Sequence, residues 1–184
     1  MKILLGITGA SGAIYAEKIM DYFAKSKEHE LYLIFTKTAL KVWEYEIGNF
    51  DGNDMPFQKY DIDDFFTPAA SGSSDFDAMI VCPCSMGTMA KIANGIADNL
   101  IIRAADVMLK ENKKLVIVPR EMPYNLIHIE NMKKLTEAGA KICPASPSFY
   151  QKPKTIDDLI VSVVQKVLNL VDIKINAINW NPTK

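Results

Sequence analysis

Arginine is nearly absent from this sequence: of 21 basic side chains, only Arg103 and Arg120 are arginine. A chain that uses lysine elsewhere has a particular need where it uses the planar, always-charged fork that matches phosphate and carboxylate. Only two histidines are present, His29 and His128, and they stand alone. The three cysteines, Cys82, Cys84 and Cys143, form no paired framework and read as reduced thiols of a cytoplasmic protein. A net charge of -1 with no block of like charges gives no field for nucleic acid. No apolar run approaches the roughly 20 residues that a membrane helix needs. The short run Met1–Leu5 is soon interrupted by Gly6, Thr8, Gly9, Ser11 and Gly12, so it reads as a buried strand and not as a signal peptide. The expectation is a soluble protein without nucleic-acid or membrane partners.

What is present is apolar and periodic. With 184 residues, 49% hydrophobic and 23% charged, the chain suits a single domain with a full core. Strands are expected at residues 2–7, 31–36, 78–82, 115–118 and 141–143. Helical periods occupy 13–25, 39–47, 85–94, 99–110, 126–138 and 156–170, and 48–75 reads as irregular. Thr155 with Asp158 three residues on is a capping-box signal for the last helix. Strands alternating with crossover helices predict an α/β fold, a Rossmann-like or flavodoxin-like three-layer sandwich around a parallel sheet. The domain is expected over residues 1–171. A tail over 172–184, with Asn176, Asn179, Trp180 and Asn181, either packs on a neighbouring subunit or frays.

Four segments carry chemistry. Gly6-Ile7-Thr8-Gly9-Ala10-Ser11-Gly12-Ala13 joins the first strand to a helix, where backbone N–H groups can meet a phosphate, and it lacks the Gly-Lys-Ser/Thr ending of a nucleoside triphosphate loop. Cys82-Pro83-Cys84-Ser85-Met86-Gly87-Thr88 repeats that geometry after the third long strand, as a second cradle or an ordinary serine cap. No second thiol or histidine pair stands at zinc spacing. Val118-Pro119-Arg120-Glu121-Met122-Pro123 sets a charged pair at a strand end, where open α/β sheets bind ligands; the alternative is a surface ion pair. The stretch Pro144 to Pro153 holds Phe149 and Tyr150 in a proline-stiffened loop, as a lid or as cover for the core edge.

Together, in this order, the segments resemble the flavin prenyltransferase family (the UbiX type). The likeness is most specific over Pro119-Arg120-Glu121-Met122-Pro123-Tyr124-Asn125-Leu126-Ile127-His128 and over Arg103-Ala104-Ala105-Asp106-Val107-Met108-Leu109-Lys110-Glu111. The resemblance implies a flavoprotein assembled as a homododecamer of trimers, with sites between subunits. It implies that FMN lies against Gly9, Ala10, Ser11, Thr36, Ser85, Met86, Gly87, Thr88 and Arg120. A dimethylallyl phosphate is held by Arg103, Lys110, Glu121, Tyr150 and Lys166, and Ser11, Glu46 and Glu121 stand as catalytic candidates. The prenylated FMN so made serves a separate UbiD-type decarboxylase. Thr36 replaces a serine common in the family, Lys166 replaces an arginine found in several members, and Phe65 falls where some carry an indole.

The implied chemistry suits the residues. Ionising an allylic C–O bond builds negative charge on the departing phosphate, which preplaced cations stabilise. Arg103 and Lys110, seven apart, share a helix face. No aspartate-rich magnesium motif is present; Asp61, Asp63 and Asp64 are its nearest imitation, which favours a monophosphate donor and no metal. Two alternatives stand beside this reading: an FMN-dependent cysteine decarboxylase, and a non-catalytic flavin carrier. The first calls for a histidine after the second strand and a Pro-x-Met-Asn segment. This chain has Trp43, Glu44 and Glu46 there, and Pro-Arg-Glu-Met-Pro in the late loop.

Overall fold

The structure, a computed structural model, describes residues 1–48 and 56–175. Strands β1 (Lys2–Ile7), β2 (Glu30–Phe35), β3 (Gln58–Tyr60), β4 (Ala78–Cys84), β5 (Lys114–Pro119) and β6 (Lys141–Ile142) form one sheet. Their order is β3-β2-β1-β4-β5-β6, and every neighbouring pair is parallel. The helices are α1 (Ala13–Lys25), α2 (Lys37–Glu46), α3 (Met86–Ala93), α4 (Leu100–Lys110), α5 (Leu126–Glu137) and α6 (Ile156–Leu170). The flavodoxin-like sandwich expected from the alternation is what forms.

The alternation of side chains along each strand divides the core into two layers. Ile3, Leu5 and Ile7 of β1, with Val116 and Val118 of β5, face α1 and α6. Leu4 of β1, with Leu115 and Ile117 of β5, faces α3, α4 and α5. On β1 the second layer comes so close that a Cβ on Gly6 would lie 3.1 Å from Ile101 of α4.

Two departures from expectation have local causes. β3 lies inside the stretch read as irregular; Gln58-Lys59-Tyr60 is a short, polar edge strand with no apolar period to announce it. β4 runs two residues beyond Cys82, through a cis Cys82–Pro83 peptide, and its register against β5 shifts between Val81 and Cys84. Cys82 and Cys84, two apart, therefore end in opposite layers, where simple alternation would place them together. Ile173 is buried in the α1–α6 layer and its N–H donates to Leu168 O at 3.0 Å, so the packed unit runs into the expected tail. Asn176, Asn179, Trp180 and Asn181 lie outside the described residues.

No helix among the described residues is long and apolar enough to cross a membrane. The chain steps outward through β1, β2 and β3 and then, from β4, outward the other way. The reversal falls between β1 and β4, and the crevice above the carboxyl ends of those strands is where such sheets bind ligands.

Candidate active site

The loops after β1 and β4 flank this crevice, and one buried hydroxyl joins them. Thr8, only 1% exposed, donates through Oγ1 to Pro83 O at 2.8 Å and accepts from Ser85 N at 2.7 Å. Its own N–H also donates to Pro83 O, at 3.2 Å. Sequence reading treats Thr8 as one more residue of a glycine turn. The available signal is a hydroxyl at the end of an apolar strand, where a polar group needs partners.

The first turn departs from the phosphate cradle that its sequence suggests. Gly12, at φ 110, caps α1 in the left-handed region. The N–H groups of Gly12 and Ala13 are taken by the Glu46 carboxylate, at 2.8 and 2.9 Å. The positive end of α1 is thus occupied by the chain's own anion. Burial opposes ionisation of Glu46, but the Ser11 hydroxyl, these two N–H groups and the nearby Arg120 together hold its carboxyl below the usual range. α2 makes this possible: it starts one residue after β2 and returns its last residue to the start of α1. Gly9 is fitted against the α2 start, where an added Cβ would lie 2.5 Å from Thr38 Cγ2.

Two other helix starts are capped by side-chain hydroxyls. Thr36 caps α2 by accepting from Ala39 N at 3.0 Å, and Ser85 caps α3 by accepting from Thr88 N at 3.3 Å. The Ser85 hydroxyl also bonds Thr88 Oγ1, at 3.0 Å. In α3 the N–H groups of Met86 and Gly87 precede the first intrahelical bond. An added Cβ on Gly87 would meet nothing within 4 Å, so this backbone faces open space. A flat, anionic group such as FMN fits here: approachable amides at α3, hydroxyls at Thr36 and Ser85, and a guanidinium at Arg120. Arg120, at the end of β5, reaches across β4 to donate from Nε to Ser11 O at 3.0 Å. Gly9, Ala10, Ser11, Thr36, Glu46, Ser85, Met86, Gly87, Thr88 and Arg120 therefore share one sheet edge.

Tyr150 and Lys166 meet in a neighbouring cleft of about 280 Å³ between the β6–α6 loop and α6, also lined by Cys143, Ser146, Ser162 and Gln165. The loop is tied to the end of β5 through Ala145 N to Pro119 O, at 3.1 Å. Glu121 is exposed there and accepts from Met122 N at 3.0 Å, ahead of a cis Met122–Pro123 bond.

Arg103 and Lys110 do not join this group within one chain. Arg103 Nη1 bonds Asp106 Oδ2 at 2.8 Å and its Nε donates to Ala70 O at 3.1 Å. Lys110 pairs with Glu111, close to the start of β5. That is the amino edge of the sheet, opposite the crevice, because α4 runs antiparallel to the strands that it connects.

Cys82 and Cys84 are fully buried; burial pushes the Cys82 thiol well up and that of Cys84 to about 12, so neither is a thiolate nucleophile. No group of three or more His, Cys, Asp or Glu among the described residues is arranged to hold a metal ion. His128 has a local role in a capping box with Asn125: His128 N donates to Asn125 Oδ1 at 2.9 Å, and Asn125 N to His128 Nδ1 at 3.4 Å.

Residues 1–176 match the family described as Flavoprotein. A curated relative, the flavin prenyltransferase UbiX of Methanocaldococcus jannaschii, is 47% identical over 176 residues, covering 94% of this chain and 94% of that protein. Among solved structures, a dodecameric FMN-dependent UbiX-like decarboxylase from Escherichia coli O157:H7 superimposes with a TM-score of 0.92 at 39% identity, covering 98% of this chain and 100% of that one. The UbiX protein AnUbiX (PadA1), solved with FMN and dimethylallyl pyrophosphate, gives 0.91 at 39% identity, with 98% of both chains covered.

Proposed function

The chain belongs to the flavoprotein family, among its UbiX-type flavin prenyltransferases, and on that premise we propose that it transfers a dimethylallyl group from dimethylallyl phosphate to reduced FMN. The observation that carries this reading is the meeting of four separate loops, each holding residues matched to FMN contacts, at the switch point of the sheet. Reduced FMN, when bound, supplies the electron-rich ring that accepts the prenyl group at N5 and then C6, closing a fourth ring.

The residues of this chain supply the rest. Ser85 to Thr88, Thr36 and Arg120 hold the flavin. The allylic C–O bond breaks with its electron pair leaving on phosphate, and cationic Arg103, Lys110 and Lys166 with the Tyr150 hydroxyl stabilise that growing charge. Glu46, ionised at neutral pH and accepting from Ser11, can take the C6 proton through that hydroxyl; Glu121 or released phosphate are the other acceptors. Tyr150 and Lys166 line one cleft and the α4 cations lie elsewhere, so the clamp closes between copies of the chain, in a homododecamer. Exposed Met122, Leu126, Ile127 and Ile129 beside Glu121 give such contacts an apolar face. The product serves a UbiD-type decarboxylase in the cytoplasm. The cysteine decarboxylase alternative is not favoured, because α2 carries Trp43 and Glu46 but no histidine.

The test is anaerobic incubation of purified protein with reduced FMN and dimethylallyl monophosphate or diphosphate, followed by mass measurement of the extracted flavin. One isoprene unit is gained, and the gain is lost in Arg103→Ala. Unchanged FMN with both donors, despite tight flavin binding, would overturn the transferase reading in favour of a carrier.

A further inference from the structure

The cations of α4 are held in place by a loop that no functional assignment above uses. Residues 70–74 run along α4, fastened at one end by Arg103 Nε to Ala70 O at 3.1 Å and at the other by Lys113 Nζ to Ser74 O at 2.7 Å. Midway, Gly72 faces the Lys110–Glu111 ion pair. An added Cβ would lie 2.5 Å from Lys110 Nζ and would also run into the Glu111 carboxylate. Gly72 has an ordinary backbone conformation, since it is absent from the positive-φ glycines. It is therefore required for space and not for its freedom of φ. Both atoms it would strike are the far ends of flexible side chains, so the fold can accept an alanine by moving the ammonium.

We propose that Gly72 is a positioning residue for the allylic phosphate clamp: its missing side chain makes the notch that, with Glu111, fixes the Lys110 ammonium. This rests on the reading of Lys110 as a phosphate ligand. An ammonium aims at phosphate as a point charge, and a displacement of an ångström or more weakens the charge-assisted bond while leaving the flavin cradle at the other edge alone.

The test uses the FMN-loaded enzyme and the KM for dimethylallyl monophosphate in Gly72→Ala, Lys110→Ala and the double variant, with thermal melting and FMN affinity alongside. Gly72→Ala raises KM by about tenfold, the scale of one weakened charge-assisted contact, with FMN affinity unchanged. The double variant is no worse than Lys110→Ala, since the notch acts only through that side chain. Effects that multiply in the double variant would overturn the proposal. So would an unchanged KM in Gly72→Ala when Lys110→Ala raises it. An unchanged KM in Lys110→Ala would remove the clamp reading itself, a distinct failure. A melting loss in Gly72→Ala that Lys110→Ala relieves reports the same contact; a loss that it leaves untouched counts against the inference.

Discussion

Thr8→Val tests whether the crevice is assembled as described. Valine keeps the shape of threonine and removes the hydroxyl that joins the β1 and β4 loops. Pro83 O keeps a donor, the Thr8 N–H at 3.2 Å, so its loss is partial. Ser85 N, which donates to Thr8 Oγ1 at 2.7 Å, is left without its partner in a site that is 1% exposed at Thr8. One lost bond together with one orphaned donor costs about 2–3 kcal/mol. A domain of this size loses roughly 2–4 °C of Tm per kcal/mol, so Thr8→Val melts about 4–12 °C low. Thr8→Ser keeps the hydroxyl and loses one methyl, at about 0.8 kcal/mol. The assay is reversible unfolding of the flavin-free protein, followed by FMN titration, in which the valine variant also binds more weakly because Ser85 heads the α3 cradle. A valine variant as stable as the serine variant would refute the role given to this hydroxyl.

Two further predictions concern charge. Glu46→Gln removes an anion that accepts from Gly12 and Ala13, and lowers stability by about 1 kcal/mol, the scale of a helix cap. Because the folded state holds the Glu46 carboxyl below its ordinary value of 4.5, the advantage of the native protein is full above that pH and fades as pH falls below it. Melting of both proteins from pH 7 down to pH 3 checks this, and a gap that widens on acidification would contradict it. Lys166→Ala and Tyr150→Phe, which alter one cleft, raise the KM for dimethylallyl phosphate by about tenfold or more while FMN affinity stays unchanged. Parallel flavin titrations and donor saturation curves separate the two effects.

The sequence conveys most of the fold because strand and helix periods are set locally. β1, α1, α6 and its Thr155–Asp158 box form where their patterns call for them, with both box bonds present. β3 escapes because a polar edge strand is defined by its pairing to β2 and not by its own pattern. The opposite burial of Cys82 and Cys84 escapes because period-two reasoning assumes an unbroken register, and the ladder shifts at Pro83. That the glycine turn and the serine cap converge at one sheet edge is legible in outline, since both sit next to strand ends. That Glu46 fills the start of α1 is not legible, because 33 residues separate it from Ala13 and only the path of α2 brings them together.

The proposed division of the clamp between copies follows from the same geometry. α4 ends at Lys110 and β5 begins at Lys114, so the last turn of α4 lies at the edge where that strand starts, opposite the crevice. Arg103 precedes Lys110 by seven residues, about 10 Å along the axis, so the second cation is carried away from the flavin cradle of its own chain. One chain therefore cannot place Lys110 beside its own Arg120, whatever rotamers the side chains adopt. A chain that keeps its only two arginines on α4 and at the end of β5 can bring the proposed phosphate ligand Arg103 to a flavin held by Arg120 by presenting α4 to the crevice of another copy. On the proposed clamp, catalysis and assembly are one requirement: dilution below the dissociation constant of the assembly, or a charge placed on the apolar face of Leu126 and Ile127, is expected to remove prenyl transfer while each separated chain keeps the candidate FMN cradle.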